Sequence, residues 1–252
     1  MRSARMSLAV VLVAHGSRDP RAAAATEALA RAVSADNPGW DVRTSYLDHS
    51  TPQPRQVLAS FAGAGHRRTV MVPLLLTAAY HGRVDVPAEI TAARAAGVRL
   101  DVELADVLGP VAGVVPPLLV DGLLARLGEL GGLDALVLTA AGTRNATARL
   151  TVVETAAALT ARTGLPCEVA YASAAPPLSG DAVRSLRAAG HPRVGLASYF
   201  LAPGLLWDAT VASARDAGVQ VVADPLTDTP ALAALVAARV TAAARWTPLY
   251  AA

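Results

Sequence analysis

Three polar side chains that are able to bind a metal ion or transfer protons each follow a short apolar run of the sequence. His15, Asp48 and His81 come after segments rich in Val and Leu. Such continuous apolar runs are typical of parallel strands that are buried on both faces, and the carboxyl ends of parallel strands meet at one edge of a sheet. Two imidazoles and a carboxylate at one edge would offer metal ligands or proton acceptors near neutral pH.

The elements that must position these residues follow an α/β pattern. Val- and Leu-rich runs alternate with longer alanine-rich segments along all 252 residues, which predicts strands alternating with helices. We expect mainly parallel sheets with helices on both faces. One of the helices is predicted over Val111–Leu130. The predicted strands are Leu8–Val13, Val42–Leu47, Thr69–Leu75, Val98–Leu104, Ala135–Thr139, Glu168–Tyr171, Val194–Tyr199 and Val219–Val222.

The second half of the sequence repeats the pattern of the first. Matching segments occur in unbroken order, which is the mark of an internal duplication. We therefore predict two homologous half-domains, residues 1–130 and 131–252, each with a four-stranded sheet. The matching segments are 15–19 with 141–145, 46–52 with 171–177, and 70–81 with 194–205.

The polar residues of the predicted site are lost from the second copy. The duplication thus provides an internal comparison, and it places the chemistry in the first half. His49, beside Asp48, is an alternative to it, although neighbouring residues near a strand end usually point to opposite sides. The replaced pairs are His15 and Ala141, Asp48 and Ser173, and His81 and Leu205.

Other polar residues are expected to have structural roles. Asp19 precedes Pro20, and this pair predicts a helix N-cap followed by proline in the first turn. His66 and His191 lie at helix-to-strand turns, the opposite edge of the sheets, where we expect them to be solvated. Cys167 is expected to be a small buried hydrophobe rather than a nucleophile.

Composition excludes several function classes. All 22 basic residues are arginine, which excludes a Schiff-base lysine and a Walker lysine. A net charge of +2 without a basic run argues against nucleic acid as a partner. The single cysteine excludes an intramolecular disulfide within the chain. No apolar stretch is long enough for a membrane span, so we expect a soluble, cytoplasmic protein.

Two motifs resemble those of a known family, the sirohydrochlorin chelatases of the CbiX/SirB type. The segment 13–20, Val-Ala-His-Gly-Ser-Arg-Asp-Pro, is similar to the family's opening motif. The loop 73–87 is similar to its second motif, in which a histidine is followed four residues later by Asp-aliphatic-Pro. The resemblance covers essentially the whole chain, because the family's long form is a tandem duplication with a degenerate second copy.

The resemblance implies insertion of a divalent metal ion into sirohydrochlorin, in sirohaem or cobalamin biosynthesis. The metal is a substrate, with Fe²⁺ favoured and Co²⁺ or Ni²⁺ as alternatives, and neither ATP nor an organic cofactor is implied. We expect a monomer whose halves form the substrate cleft. A non-catalytic tetrapyrrole or metal carrier is the rival interpretation.

The resemblance also implies a role for each site residue. His15 and His81 correspond to the family's metal-site histidines, and Asp48 stands where many relatives have glutamate. Sirohydrochlorin carries eight carboxylates, which a helix N-terminus and arginines would bind, while apolar side chains contact the ring. The residues expected to contact the macrocycle are Gly16, Ser17, Arg18, Tyr80, Arg83 and Leu205.

Overall fold

Eight strands and eight helices alternate along residues 8–77 and 85–244, the part of the chain that the computed structural model describes. The first half contains β1 (Leu8–Ala14), α1 (Pro20–Asp36), β2 (Trp40–Tyr46), α2 (Pro54–Gly63), β3 (Arg68–Pro73), α3 (Val86–Ala95), β4 (Asp101–Leu104) and α4 (Pro117–Leu127). The second half contains β5 (Ala135–Ala140), α5 (Ala146–Thr163), β6 (Cys167–Tyr171), α6 (Ser179–Ala188), β7 (Val194–Tyr199), α7 (Leu205–Asp216), β8 (Val221–Val222) and α8 (Pro230–Ala244).

The strands form two parallel four-stranded sheets with the same topology. Their orders are β2-β1-β3-β4 and β6-β5-β7-β8. In the first sheet β1 is central, with Ala14 paired to Tyr46 of β2 and Val13 paired to Pro73 of β3. The predicted architecture, an α/β fold with two four-stranded parallel sheets, is confirmed.

Burial on both faces explains the continuous apolar runs. Residues 9–13 of β1 are all at most 1% exposed, because α2 and α3 cover one face of the sheet and α1 lies on the other. Residues 135–138 of β5 are equally buried in the second sheet. The strand ends, where this burial stops, are the places at which polar side chains reach solvent.

The backbone turns that follow the first two strands of each sheet also repeat in the second copy. The Asp48 N–H donates to the His15 carbonyl at 2.9 Å, and the equivalent Ser173 N–H donates to the Ala141 carbonyl at 3.2 Å. The same hydrogen bond therefore holds the same pair of turns in both halves, whatever side chains the turns carry.

One predicted helix is shorter than expected. The helix predicted over Val111–Leu130 covers only Pro117–Leu127. Ala112 and Gly113 have φ values of 50° and 77°, and an α-helix cannot contain this left-handed backbone. Gly128, with φ of 72°, ends the helix. The apolar composition of the segment concealed this turn.

By their contacts the described residues form two compact units. One consists of residues 8–108 and 233–244, apart from the undescribed segment 78–84, and the other of residues 109–232. Helix α4 therefore groups with the second sheet, where it packs against β7, and nearly all of α8 groups with the first. None of the described helices has the length and apolar character needed to cross a membrane.

Glycine is required where each first strand turns into its helix. Gly16 has φ of +94°, and a Cβ there would lie 1.7 Å from the Asp48 carbonyl oxygen; at Gly142, with φ of +92°, the corresponding distance to the Ser173 oxygen is 1.9 Å. We expect Gly16→Ala and Gly142→Ala each to lower the free energy of unfolding in urea by at least about 2 kcal/mol, because strain and overlap add.

The control is Gly164→Ala, at the end of α5. Gly164 has φ of +73° but open space around its Cβ position. An alanine there would add backbone strain only, which lowers the free energy of unfolding by about 1 kcal/mol. Equal losses at all three glycines would contradict the importance of the close approach.

Candidate functional site

The first two strands end side by side and place His15 and Asp48 at one edge. The Leu47 N–H donates to the Ala14 carbonyl at 3.0 Å, and the Asp48 N–H donates to the next carbonyl, that of His15. Both side chains are exposed. The two residues predicted from separate strands are thus neighbours along a single hydrogen-bonded edge.

His49 joins Asp48 in a carboxylate–imidazole pair. Asp48 Oδ1 accepts a hydrogen bond from the His49 backbone N–H at 2.8 Å, and its Oδ2 lies 3.5 Å from His49 Nε2. The Asp48 side chain remains 63% exposed, so it can also contact a ligand. The imidazole and the carboxylate thus lie side by side at this edge.

The expectation that Asp48 and His49 point apart was wrong, and the backbone explains why. His49 has φ of 59°, a left-handed conformation that interrupts the strand alternation. The equivalent residue, Ala174, has φ of 65°, so the turn is common to both halves and the imidazole is not. His49 is therefore a fourth polar position lost from the second copy, which the internal comparison was able to reveal.

Helix α1 begins at this edge, and Asp19 is its N-cap as predicted. Its carboxylate accepts from the Arg21 backbone N–H at 2.9 Å and from the Arg21 guanidinium at 2.5 Å. The guanidinium hydrogen bond is the main cause that lowers the pKa of Asp19 below its ordinary value. A carboxylate at the helix N-terminus also interacts favourably with the helix dipole.

The turn before Asp19 contains the residues expected to contact substrate carboxylates. Ser17 Oγ accepts from the Asp19 backbone N–H at 3.0 Å, which leaves the hydroxyl proton available as a donor. Ser50 Oγ donates to the Ser17 carbonyl at 3.2 Å and ties this turn to the loop after β2. Arg18 is exposed beside them. Hydrogen-bond donors and the arginine cation of residue 18 thus lie near Gly16 at this edge.

The chain leaves β3 at the same edge. The Leu74 N–H donates to the Val13 carbonyl at 2.8 Å, so the loop after β3 starts next to the end of β1. Tyr80, His81 and Arg83, the predicted site residues of this loop, lie outside the described residues. Within residues 8–77 and 85–244, no group of three His, Cys, Asp or Glu side chains could hold a metal ion.

In the second half the corresponding edge carries exposed leucines. Leu205 is the first residue of α7 and is 82% exposed, and Leu206 is 45% exposed. Trp207 Nε1 donates to Ser198 Oγ at 3.0 Å, and its ring packs against the core of the second sheet. Leu205 is thus accessible, whereas Trp207 belongs to the packing of its own half.

At the opposite edge, the expectation of a solvated His66 was wrong. Its side chain is only 11% exposed, its Nε2 lies 3.4 Å from Asp41 Oδ2, and its ring contacts the edge of Phe61. Phe61 of α2 and Asp41 of β2 supply these contacts. The sequence of the turn around His66 reveals neither of them.

Cys167 has the inert character expected from the sequence. Burial raises the pKa of its thiol to about 12, so that the nucleophilic thiolate is scarce at neutral pH.

Comparison with known proteins supports the assignment of the fold. The CbiX family model matches residues 9–126 and 135–243. SirB from Bacillus subtilis with Fe³⁺ is similar with a TM-score of 0.80 and 19% identity, over 95% of this chain and 96% of that one. SirB from Bacillus subtilis subspecies spizizenii in complex with cobalt has a TM-score of 0.77 and 18% identity, over 95% and 96%. CbiX, the terminal enzyme for biosynthesis of siroheme in denitrifying bacteria, has a TM-score of 0.67 and 21% identity, over 94% and 99%. No curated protein sequence matches the chain significantly.

Two tandem chelatase-like half-domains therefore make up this α/β fold. The chain belongs to the CbiX family, whose model matches both copies of the repeat.

The depressed pKa of Asp19 predicts a pH-dependent contribution to stability. The Asp19 carboxylate stabilises the fold fully above its unfolded pKa of about 3.8, and this contribution is lost as the pH falls through the lower folded pKa. We expect Asp19→Asn to unfold at a lower urea concentration than the unaltered protein at pH 7, with the difference shrinking as the pH falls below about 3.8.

Asp36→Asn, at the other end of α1, is the matched control. A carboxylate near a helix C-terminus is unfavourable to the dipole, so its removal should not destabilise the protein at pH 7. A difference at Asp19 that stays constant between pH 7 and pH 3 would exclude the carboxylate as its source.

Proposed function

We propose that this protein inserts a divalent metal ion into sirohydrochlorin, with Fe²⁺ favoured and Co²⁺ or Ni²⁺ as alternatives. The observation that supports the proposal most is the difference between two copies of one backbone. The first copy has His15, Asp48 and His49 in the turns where the second has Ala141, Ser173 and Ala174. His81 adds a second histidine to the proposed metal-binding set.

Metal insertion requires groups that hold the ion weakly and take up protons. The divalent ion replaces two pyrrole protons and forms bonds to four ring nitrogens. We propose that His15 and His81 bind the incoming ion through imidazole nitrogens, which suit iron, cobalt and nickel. Asp48, with His49 beside it, lowers the cost of bringing a dication to the edge and accepts a proton that the ring releases.

The remaining residues of the proposed site bind the macrocycle. Its carboxylates would meet Gly16 and Ser17 at the turn into α1, together with the arginines Arg18 and Arg83. Tyr80 and the exposed Leu205 would contact the ring. Nothing in this sequence of events consumes ATP, which agrees with the absence of lysine, and hence of a Walker motif, from the chain.

An anaerobic insertion assay with sirohydrochlorin and Fe²⁺, Co²⁺ or Ni²⁺ tests the proposal. We expect each chain to convert many equivalents of the free-base macrocycle. The conversion is monitored through the absorption spectrum of the macrocycle. His15→Ala and His81→Ala should each reduce the rate by at least about 100-fold, because each removes a group that contacts the reacting ion or its protons.

His191→Ala is the control, since His191 follows α6 at the opposite edge and should leave the rate unchanged. Stoichiometric binding without turnover would favour the carrier interpretation over catalysis. An unchanged insertion rate in the His15→Ala, His81→Ala double variant would rule out the proposed site.

A second expectation concerns the exposed leucine of the second half. Leu205→Asp should weaken sirohydrochlorin binding by about tenfold or more, because it replaces apolar contact area with a charge that repels the substrate carboxylates. Binding is measured by quenching of macrocycle fluorescence, and the order of preference among the three metals should not change. Leu205→Met, which retains an apolar side chain, is the control; unchanged binding by Leu205→Asp would exclude contact with the ring.

A further inference from the structure

The Ser50 hydroxyl makes a hydrogen bond that crosses between the two turns of the candidate site. The turn after β1 contains His15 and Ser17, and the turn after β2 contains Asp48 and Ser50. Ser50 Oγ donates to the Ser17 carbonyl at 3.2 Å, and the Ser50 N–H donates to the Asp48 carbonyl at 2.7 Å. Ser50 thus contacts one turn through its side chain and the other through its backbone.

The second copy has the backbone part of this arrangement without the hydroxyl. Ala175 occupies the position of Ser50, and its N–H donates to the Ser173 carbonyl at 2.8 Å. The Thr143 carbonyl, which corresponds to the one that Ser50 holds, accepts instead from Nη1 of Arg149 at 3.0 Å. Arg149 belongs to α5, the helix into which this turn leads. The fold can therefore satisfy this carbonyl from the following helix and does not require a hydrogen bond from the neighbouring turn.

A hydroxyl also crosses between the turns of the second copy, but from a different position. Ser173, which replaces Asp48, donates through Oγ to the Ala141 carbonyl at 3.1 Å. An ionised carboxylate only accepts hydrogen bonds, so Asp48 is unable to make this contact with the His15 carbonyl. Among the described residues, each copy thus has one side-chain hydrogen bond between its two turns. Its donor is Ser50 in the copy whose strand ends at an aspartate.

The position of the donor decides which groups remain available to a ligand. The Asp48 side chain is 63% exposed, and its carboxylate oxygens lie against His49 rather than against the turn after β1. In that turn, Ser17 Oγ accepts from the Asp19 N–H at 3.0 Å, a hydrogen bond that does not involve Ser50. The Ser50 hydroxyl therefore fixes the distance between the two turns and leaves the local hydrogen bonds of each unchanged.

We propose that Ser50 is a positioning residue for metal insertion. The proposal rests on the proposed function, in which Ser17 meets the carboxylates of the macrocycle while Asp48 and His49 serve the ion and the released protons. The Ser50 hydroxyl holds these two sets of groups at a fixed distance, so that a macrocycle bound at one turn presents its ring nitrogens to the other. Because reaction rates depend steeply on the relative placement of the reacting groups, a change in this distance lowers the insertion rate more than the affinity for the macrocycle.

Steady-state insertion kinetics of the full chain test this role. In Ser50→Ala, which introduces the residue of the second copy, we expect kcat for sirohydrochlorin to fall by about tenfold or more, while KM changes by less than about twofold. Ser50→Thr retains a hydroxyl and should keep kcat within about threefold of that of the unaltered protein. The rates are normalised to the folded fraction measured by circular dichroism, so that a loss of folded protein is not counted as a loss of kcat.

Hydrogen exchange measured by NMR provides a readout that does not depend on insertion. The Leu47 N–H donates to the Ala14 carbonyl where the two strands end, and it is altered in none of the variants. It should exchange at least about threefold faster in Ser50→Ala, because a hydrogen bond that opposes local opening is lost. The double variant Asp48→Ser, Ser50→Ala should regain this protection, since Ser173 makes the same contact in the second copy, but it should not regain the insertion rate.

Ser60→Ala is the matched control. Ser60 Oγ also takes part in a side-chain hydrogen bond, accepting from Arg43 Nη1 at 2.7 Å, but it lies in the last turn of α2 and outside both turns of the site. Its replacement should leave kcat and the exchange of the Leu47 N–H unchanged. If the unaltered protein is active, an undiminished kcat in Ser50→Ala would overturn the positioning role alone, and so would an equal fall in Ser60→Ala. Absence of turnover by the unaltered protein would instead overturn the proposed function, and the positioning role with it.

Discussion

The contact on which the rest of the site depends is the approach of Gly16 to the carbonyl oxygen of Asp48. No side chain fits between them, since a Cβ at Gly16 would lie 1.7 Å from that oxygen. The approach brings the turn after β1 against the turn after β2 and allows the Asp48 N–H to reach the His15 carbonyl. His15 and Asp48 thus meet at one edge because a glycine has removed the obstacle between their turns.

The second copy has kept this constraint and lost the histidines and the carboxylate around it. Gly142 makes the same approach to the Ser173 carbonyl, and the same hydrogen bond follows. Backbone geometry is preserved by packing and hydrogen bonding that every folded copy needs, whereas an exposed side chain at a strand end contributes little to stability. Side chains at these positions are therefore free to change without loss of the fold, as Ala141 and Ala174 show.

Sequence reasoning reached the fold because the determining features are local. Buried parallel strands such as β1 are continuous apolar runs, and glycine and proline mark the turns between elements. The strand ends and the comparison of the two copies are visible in the sequence, and together they predict that His15 and Asp48 lie at one edge. The pairing of His49 with Asp48 depends on a left-handed φ, and the burial of His66 on contacts with Phe61 and Asp41. Neither feature has a pattern in the residue types alone.

A single copy must keep its backbone fold and its surface residues together, whereas duplication allows the surface residues of one copy to change. In α1 the exposed positions carry Glu27 and Arg31, which keep that surface in water, while α5 has Val153 and Ala157 on the same backbone. The proposed function explains this freedom, because a second copy that binds no metal ion need not keep the exposed side chains of the first. Under the proposed function, the exposed Leu205 at the strand edge would contact the flat ring of the substrate. The two copies thus keep the same backbone, while their exposed side chains differ from surface to surface.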